Sequence, residues 1–172
     1  TIEVRLYRSC SKVVISLVWI KETNMELPVL EGHVFKINKE RPVHPGRVLQ
    51  IDGDFVAYHA SCHTDESLAE MCTTAENIVH NLRRAAGAED VRIHMTPAGS
   101  TKGNRSEIAL LKPYQANRNG RIKPENLGVV RDHLCTAFQG IQWEDLEADD
   151  GMSIWQYACL DANQPDLSCI CS

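Results

Sequence analysis

The sequence predicts an α/β protein built on a central, mostly parallel sheet. Short apolar or alternating runs at 47–51, 91–95 and 167–171 have the length and pattern of strands. Longer stretches with apolar residues at helical spacing separate them, and such alternation implies crossover connections and hence parallel strands. In addition, an acidic motif closes the first of these strands and another opens a late helix. Ligands of open α/β sheets gather at the carboxyl ends of the strands.

The elements follow in order. Residues 1–46 read as an N-terminal extension, in which the apolar run 13–20 would make a buried strand. Met25 is a candidate natural start, which would make 1–24 an upstream extension. Pro42, Pro45 and Gly46 break the chain before the strand at 47–51. Thr64-Asp65-Glu66 signals a helix start, and Leu68, Met71, Ala75, Ile78, Val79 and Leu82 repeat at helical spacing up to Gly87. Residues 91–95 alternate as a strand does. The segment 97–123 is irregular, with one short helix around 107–111. Pro124 suits the first turn of a helix whose apolar stripe is Leu127, Val130, Leu134 and Phe138, so Phe138→Ala is expected to cost about 3–5 kcal/mol. A third helix runs over 149–160 with Met152, Trp155 and Cys159 inward, and a last strand begins at Leu167.

The totals bound the function. The 172 residues fit one domain with a real core, and 43% hydrophobic with 24% charged residues is the balance of a soluble globular chain. A net charge of −5 excludes a generally basic nucleic-acid coat. The distribution is uneven, however. Residues 100–123 hold Lys102, Arg105, Lys112, Arg118, Arg121 and Lys123 against the single acid Glu107, and 141–166 hold seven acids and no Lys or Arg. Such polarity suits a protein that holds cations in one place and phosphates in another. The seven cysteines have no zinc spacing, and Cys62, Cys72, Cys135 and Cys159 fall in apolar patterns that predict buried thiols in a reducing cytosol. The run 13–20 is too short to span a bilayer, so no membrane partner is expected.

Asp52 lies at a predicted strand end, with Gly53 allowing the backbone to turn. Hard divalent ions take carboxylate oxygens and keep several waters, so Asp52, Glu147 and Asp149 together could hold one Mg²⁺ or Mn²⁺. Asp150 and Asp54 would add charge or orient waters. Such an ion would polarise a phosphodiester and lower the pKa of an attacking water. Taken singly, Asp-Gly-Asp is also a common turn, and acids at a helix start also serve as caps and dipole partners. In the basic segment, Arg118 and Lys112 have the chemistry to hold phosphates and Tyr114 to stack on a base of a single strand. A solvated loop has the same composition.

Three motifs in order resemble the 5′→3′ exonuclease and flap endonuclease superfamily, most closely its tailed-phage exonucleases. They are Ile51-Asp52-Gly53-Asp54-Phe55, Tyr114-Gln115-Ala116-Asn117-Arg118 and Glu147-Ala148-Asp149-Asp150. The resemblance covers about 47–172. It implies a three-layer PIN-like fold with a mostly parallel sheet, of which 47–172 would be the N-terminal portion. The implied activity is that of a Mg²⁺- or Mn²⁺-dependent 5′→3′ exodeoxyribonuclease or flap endonuclease. Its partner would be single-stranded, flapped or 5′-ended duplex DNA, in the cytoplasm of a phage-infected or prophage-bearing bacterium. Asp52, Glu147 and Asp149 would be catalytic metal ligands supported by Asp150, and Arg118 would act at the scissile phosphate. Arg105, Lys112, Tyr114, Arg118 and Arg121 would bind DNA. Gln115 stands where the family usually has Lys, and Thr96-Pro97 where it has Asp. The family's second acidic pair would follow Ser172. A non-catalytic DNA-binding remnant of the family is one alternative. A haloacid dehalogenase-like phosphatase is another, with Asp52 as nucleophile and Ser100 with Lys102 or Lys112 in support.

Overall fold

The fold is taken from a computed structural model that describes residues 2–9, 12–19, 41–62, 65–109, 114–115 and 122–172, the first two stretches as strand backbone. Six strands form one sheet in the order β1-β2-β6-β3-β4-β5. They are β1 (Ile2–Ser9), β2 (Lys12–Trp19), β3 (His44–Asp52), β4 (Ala88–Met95), β5 (Ile141–Gln142) and β6 (Ser168–Cys171). The strands β6, β3, β4 and β5 are all parallel, β2 joins β6 in the same sense, and β1 is antiparallel to β2. The strand expected at 13–20 is therefore β2; its burial lies outside the described residues.

The described residues form the α-helices α1 (Gly53–Ser61), α2 (Leu68–Ala86), α3 (Arg105–Ile108), α4 (Leu127–Ala137) and α5 (Ala148–Asp161), of which α1, α2, α4 and α5 pack on the sheet. Helices α1, α2 and α4 pack on one another, and α5 packs apart from them on β3, β4 and β6. This arrangement is compatible with three layers. Strand parity sorts the two faces, because successive side chains point to opposite sides. Leu49, Ile51, Ile93, Met95, Cys169 and Cys171 join Val56, Ala60, Val79, Leu82, Val130 and Leu134 in one apolar core. The intervening Gln50, His94 and Ser168 are buried polar residues of the opposite parity.

The Gln50 and His94 side chains of that parity are satisfied internally, whereas the Ser168 hydroxyl has no hydrogen-bond partner among the described residues. The indole N–H of Trp143 can only donate, and it lies 2.9 Å from His94 Nδ1. His94 Nδ1 therefore accepts, and its Nε2–H donates to Gln50 Oε1 at 2.8 Å. Arg92 places its guanidinium 3.6 Å from the centre of the Trp155 ring of α5, a cation–π contact.

Several expectations need correction. Helix α1 follows β3 without a linker, because Asp52 Oδ1 accepts from the Asp54 and Phe55 amides at 2.9 and 3.2 Å and so caps it. Gly53 is needed for closeness rather than for a turn: a Cβ there would lie 2.5 Å from Ile93 and Met95. Helix α2 starts at Leu68, where Ser67 and Glu70 form a capping box, and ends at Gly87 in the left-handed conformation (φ 60°). The short helix spans Arg105–Ile108, and β5 adds two residues beside β4. Cys62 is exposed and Cys72, Cys135 and Cys159 are only half-buried, whereas Cys169 and Cys171 are the buried thiols. Burial pushes these two up to about 11 and about 12, which makes them poor nucleophiles.

Phe138 is half-buried at the end of α4, whereas Leu134 is fully buried. Leu134→Ala is therefore expected to cost about 2–5 kcal/mol and Phe138→Ala less than that. Urea melts of the two variants check the order; a larger loss at Phe138 would mean that α4 is rotated.

Candidate functional site

The two acidic motifs meet at the carboxyl edge of the parallel sheet. Asp52 is the last residue of β3, and Glu147 immediately precedes α5. Thr96, the residue after β4, ties the motifs together. Its amide donates to Asp54 Oδ2 at 3.0 Å, and its hydroxyl accepts from the Ala148 amide at 3.1 Å. Arg131 of α4 completes this link, pairing with Asp54 at 2.8 Å and donating to the Thr96 carbonyl.

Asp52 is electrostatically strained. Burial, then the Asp54 carboxylate and more weakly Asp149 raise its pKa to about 6, against the lowering effect of the two amides that it caps. Asp149 is exposed on the first turn of α5, close enough to act on Asp52 through its field. Glu147 is buried, at 8% exposure, and faces a different set of groups. Arg105 donates to it, as do Tyr114 Oη at 2.5 Å and Gln115 Nε2 at 3.1 Å, with Lys102 Nζ 3.6 Å away. The other guanidinium nitrogen of Arg105 reaches Asp150 Oδ1 at 2.6 Å. Asp150 Oδ2 accepts from the Glu147 amide at 3.0 Å, which fixes the start of α5.

Asp52, Glu147, Asp149, Asp150, Arg105 and Tyr114 are thus brought to one edge of the sheet. Lys112, Arg118 and Arg121 lie outside the described residues. The sequence reading did not single out Arg131, whose only signal was its place on α4 beside the Leu127/Val130/Leu134 stripe. Thr96 and Gln115 drew notice as departures from a family pattern, and both are wired into the site. Ser100 Oγ donates to the Leu146 carbonyl, and Lys102 donates to Gln115 beside Glu147. Ser100 and Lys102, two of the groups named for a phosphatase built on Asp52, are thereby engaged elsewhere, and the alternative Lys112 lies outside the described residues.

The donors suit a hard cation: they are carboxylates, and among the described residues Asp52 is one with no cationic side chain paired to it. Yet among the described residues no three acids, histidines or cysteines are arranged to hold a metal. Glu147 and Asp150 face Arg105 instead. No known protein family, curated protein or solved structure matches the chain. Among the described residues, no helix is long and apolar enough to cross a membrane.

Proposed function

We propose that the chain is a divalent-metal-dependent nuclease, hydrolysing DNA phosphodiester bonds as a 5′→3′ exonuclease or flap endonuclease. One observation carries this reading. Asp52 is buried at the carboxyl end of β3 beside Asp54 and within the field of Asp149, remote from it in sequence, and burial first, then the Asp54 charge and more weakly that of Asp149, hold its carboxyl near 6. Several carboxylates forced together at a sheet's carboxyl edge favour a cation among them.

In this reading Asp52, Asp149 and, after rearrangement, Glu147 hold Mg²⁺ or Mn²⁺, with Asp150 orienting the start of α5. The ion supplies Lewis-acid polarisation of the phosphate and a more acidic water. The chain's own part is to hold those carboxylates against the sheet, to keep Asp54 in place through Thr96 and Arg131, and to present the cationic segment 100–123 to the DNA backbone. Arg118, Lys112, Arg121 and Arg105 would neutralise phosphates, and Tyr114 would stack on an unpaired base. A remnant that binds DNA without cutting it would use the same segment.

The test is cleavage of a 5′-flapped duplex and a 5′-labelled single strand with Mg²⁺ and with chelator. Asp149→Asn is expected to reduce Mg²⁺-dependent cleavage by at least about 100-fold, since the ion contributes several kcal/mol to the transition state. DNA binding that survives while cleavage is absent in the parent would favour the non-catalytic remnant. Neither binding nor cleavage would end the nuclease reading.

A further inference from the structure

We infer that four arginines at the amino edge of the sheet, Arg41, Arg47, Arg83 and Arg84, form a second contact surface for the phosphate backbone of duplex DNA, at the opposite end of β3 from the acidic site. The choice of DNA among polyanions rests on the nuclease reading. The surface itself rests on charge and contacts.

Two stretches of sequence meet there. Residues 41–50 and 77–88 together hold these four arginines, with His44 and His80 and no acid, in a chain of net charge −5. The fold joins them around Gly87, the left-handed residue that ends α2. The His44 amide donates to the Gly87 carbonyl at 2.9 Å, and Arg47 Nη1 donates to the Ala86 carbonyl at 3.2 Å. A Cβ on Gly87 would come within 2.6 Å of the Pro42 carbonyl oxygen and 3.2 Å of the Arg41 Cβ. Arg83 and Arg84 belong to the last turn of the same helix. The fields of Arg41 and Arg47 both reach the Cys169 thiol.

Among the described residues no carboxylate pairs with any of the four. Arg47 bonds the backbone carbonyls of Ala86 and Asp166, and Arg84 bonds the Asn81 side chain at 2.5 Å. The next acids along the chain, Glu89 and Asp90, accept from the backbone amides of Gly46 and Val91 instead. The C-terminal dipole of α2 offsets about half a charge. Most of the positive charge is therefore left for an external anion. Arg41 and Arg84 are exposed and Arg47 and Arg83 half-buried, so the surface is open to one.

The chemistry selects the ligand. Guanidinium forks match phosphate oxygens in pairs. Neither stretch carries a Phe, Tyr or Trp on which an unpaired base could stack. A duplex, with its bases already stacked and its phosphates dense, fits better than a single strand. The strand β3 is nine residues long, so about 26 Å separates its ends. Phosphates of one strand recur about every 3.4 Å, so about eight base pairs reach from the arginines to the acids.

The experiment measures binding of a blunt duplex of about twenty base pairs to the full chain by fluorescence anisotropy, in chelator and over a salt series. It compares the parent with the double variant Arg83→Gln, Arg84→Gln. The variant is expected to bind roughly tenfold more weakly at low salt, with a salt dependence lower by about two phosphate contacts. Arg41→Gln, outside any helix or strand, should lower the salt dependence by about one contact, and it serves if the double variant does not fold. Equal affinity and salt dependence in the parent and both variants would overturn the surface. An equal loss for a single strand of the same length would overturn the choice of duplex. A parent that binds polyglutamate more tightly than the duplex would overturn the choice of DNA. The nuclease reading fails separately: a chain whose duplex binding depends on these arginines but that cuts no DNA with Mg²⁺ keeps the surface and loses the nuclease.

Discussion

Asp52→Asn is expected to stabilise the metal-free protein above pH 7, by up to about 3 kcal/mol. The carboxyl of Asp52 rises from 3.8 to about 6 on folding, mainly through burial and the Asp54 charge. The folded chain therefore holds a proton that the unfolded chain releases between those values. Stability falls as pH rises through that window, and the whole penalty is present above about 6. Asparagine carries no charge and keeps the Oδ1 atom that accepts from the Asp54 and Phe55 amides, so the cap survives. Urea melts of parent and variant at pH 4 and pH 8, in chelator, provide the test. The gain should be present at pH 8 and small at pH 4. Equal stability at pH 8 would mean that the site does not burden the fold.

The second large effect concerns acid. His94 is fully buried, and burial together with Arg92 lowers its pKa from 6.5 to about 4. Its Nδ1 must stay unprotonated to accept from Trp143. Between those values the unfolded chain binds the extra proton, so stability falls as pH falls, by up to about 3 kcal/mol near pH 4. Asp52 runs the opposite way over nearly the same range, gaining stability as it protonates. The parent is therefore expected to look almost flat between pH 4 and 6, with the two contributions cancelling. Asp52→Asn should expose the His94 loss as a steep decline on acidification. A flat profile in that variant would show that His94 accepts its proton without breaking the Gln50–His94–Trp143 chain.

The sequence was legible wherever one physical signal dominated. The β3, β4 and β6 strands were visible as short apolar or alternating runs, and α2 as a long helical stripe. Three elements escaped, and the first of them, β1, lies in the N-terminal extension where only the apolar run 13–20 read as a strand. Helix α1 carries Gly53 in its first turn, and its start is hidden because one residue, Asp52, both ends a strand and caps a helix. Strand β5 is two residues long, too short for any period. The Ser67–Glu70 capping box was readable, but the earlier acids at 65 and 66 drew the start of α2 too far back. The candidate site was half legible. The carboxylates stood out as motifs, because acids at a strand end and at a helix start are local features. Their partners did not, since Arg105, Arg131 and Thr96 are joined to them across 42, 77 and 42 residues by contacts that only the fold creates.

The direct passage from β3 into α1 bears on how such a chain can vary. Asp52 is mounted on a strand and a helix at once, and Gly53 leaves no space against Ile93 and Met95. An inserted residue there would shift the carboxylate and break the helix cap together, so length variation at this junction is closed. In the stretch between β4 and α4 the described residues are mostly turns with one short helix, and loops of that kind tolerate insertion. On the nuclease reading proposed above, changes in substrate preference would therefore accumulate as length and composition changes in that stretch, while the position of Asp52 stays fixed.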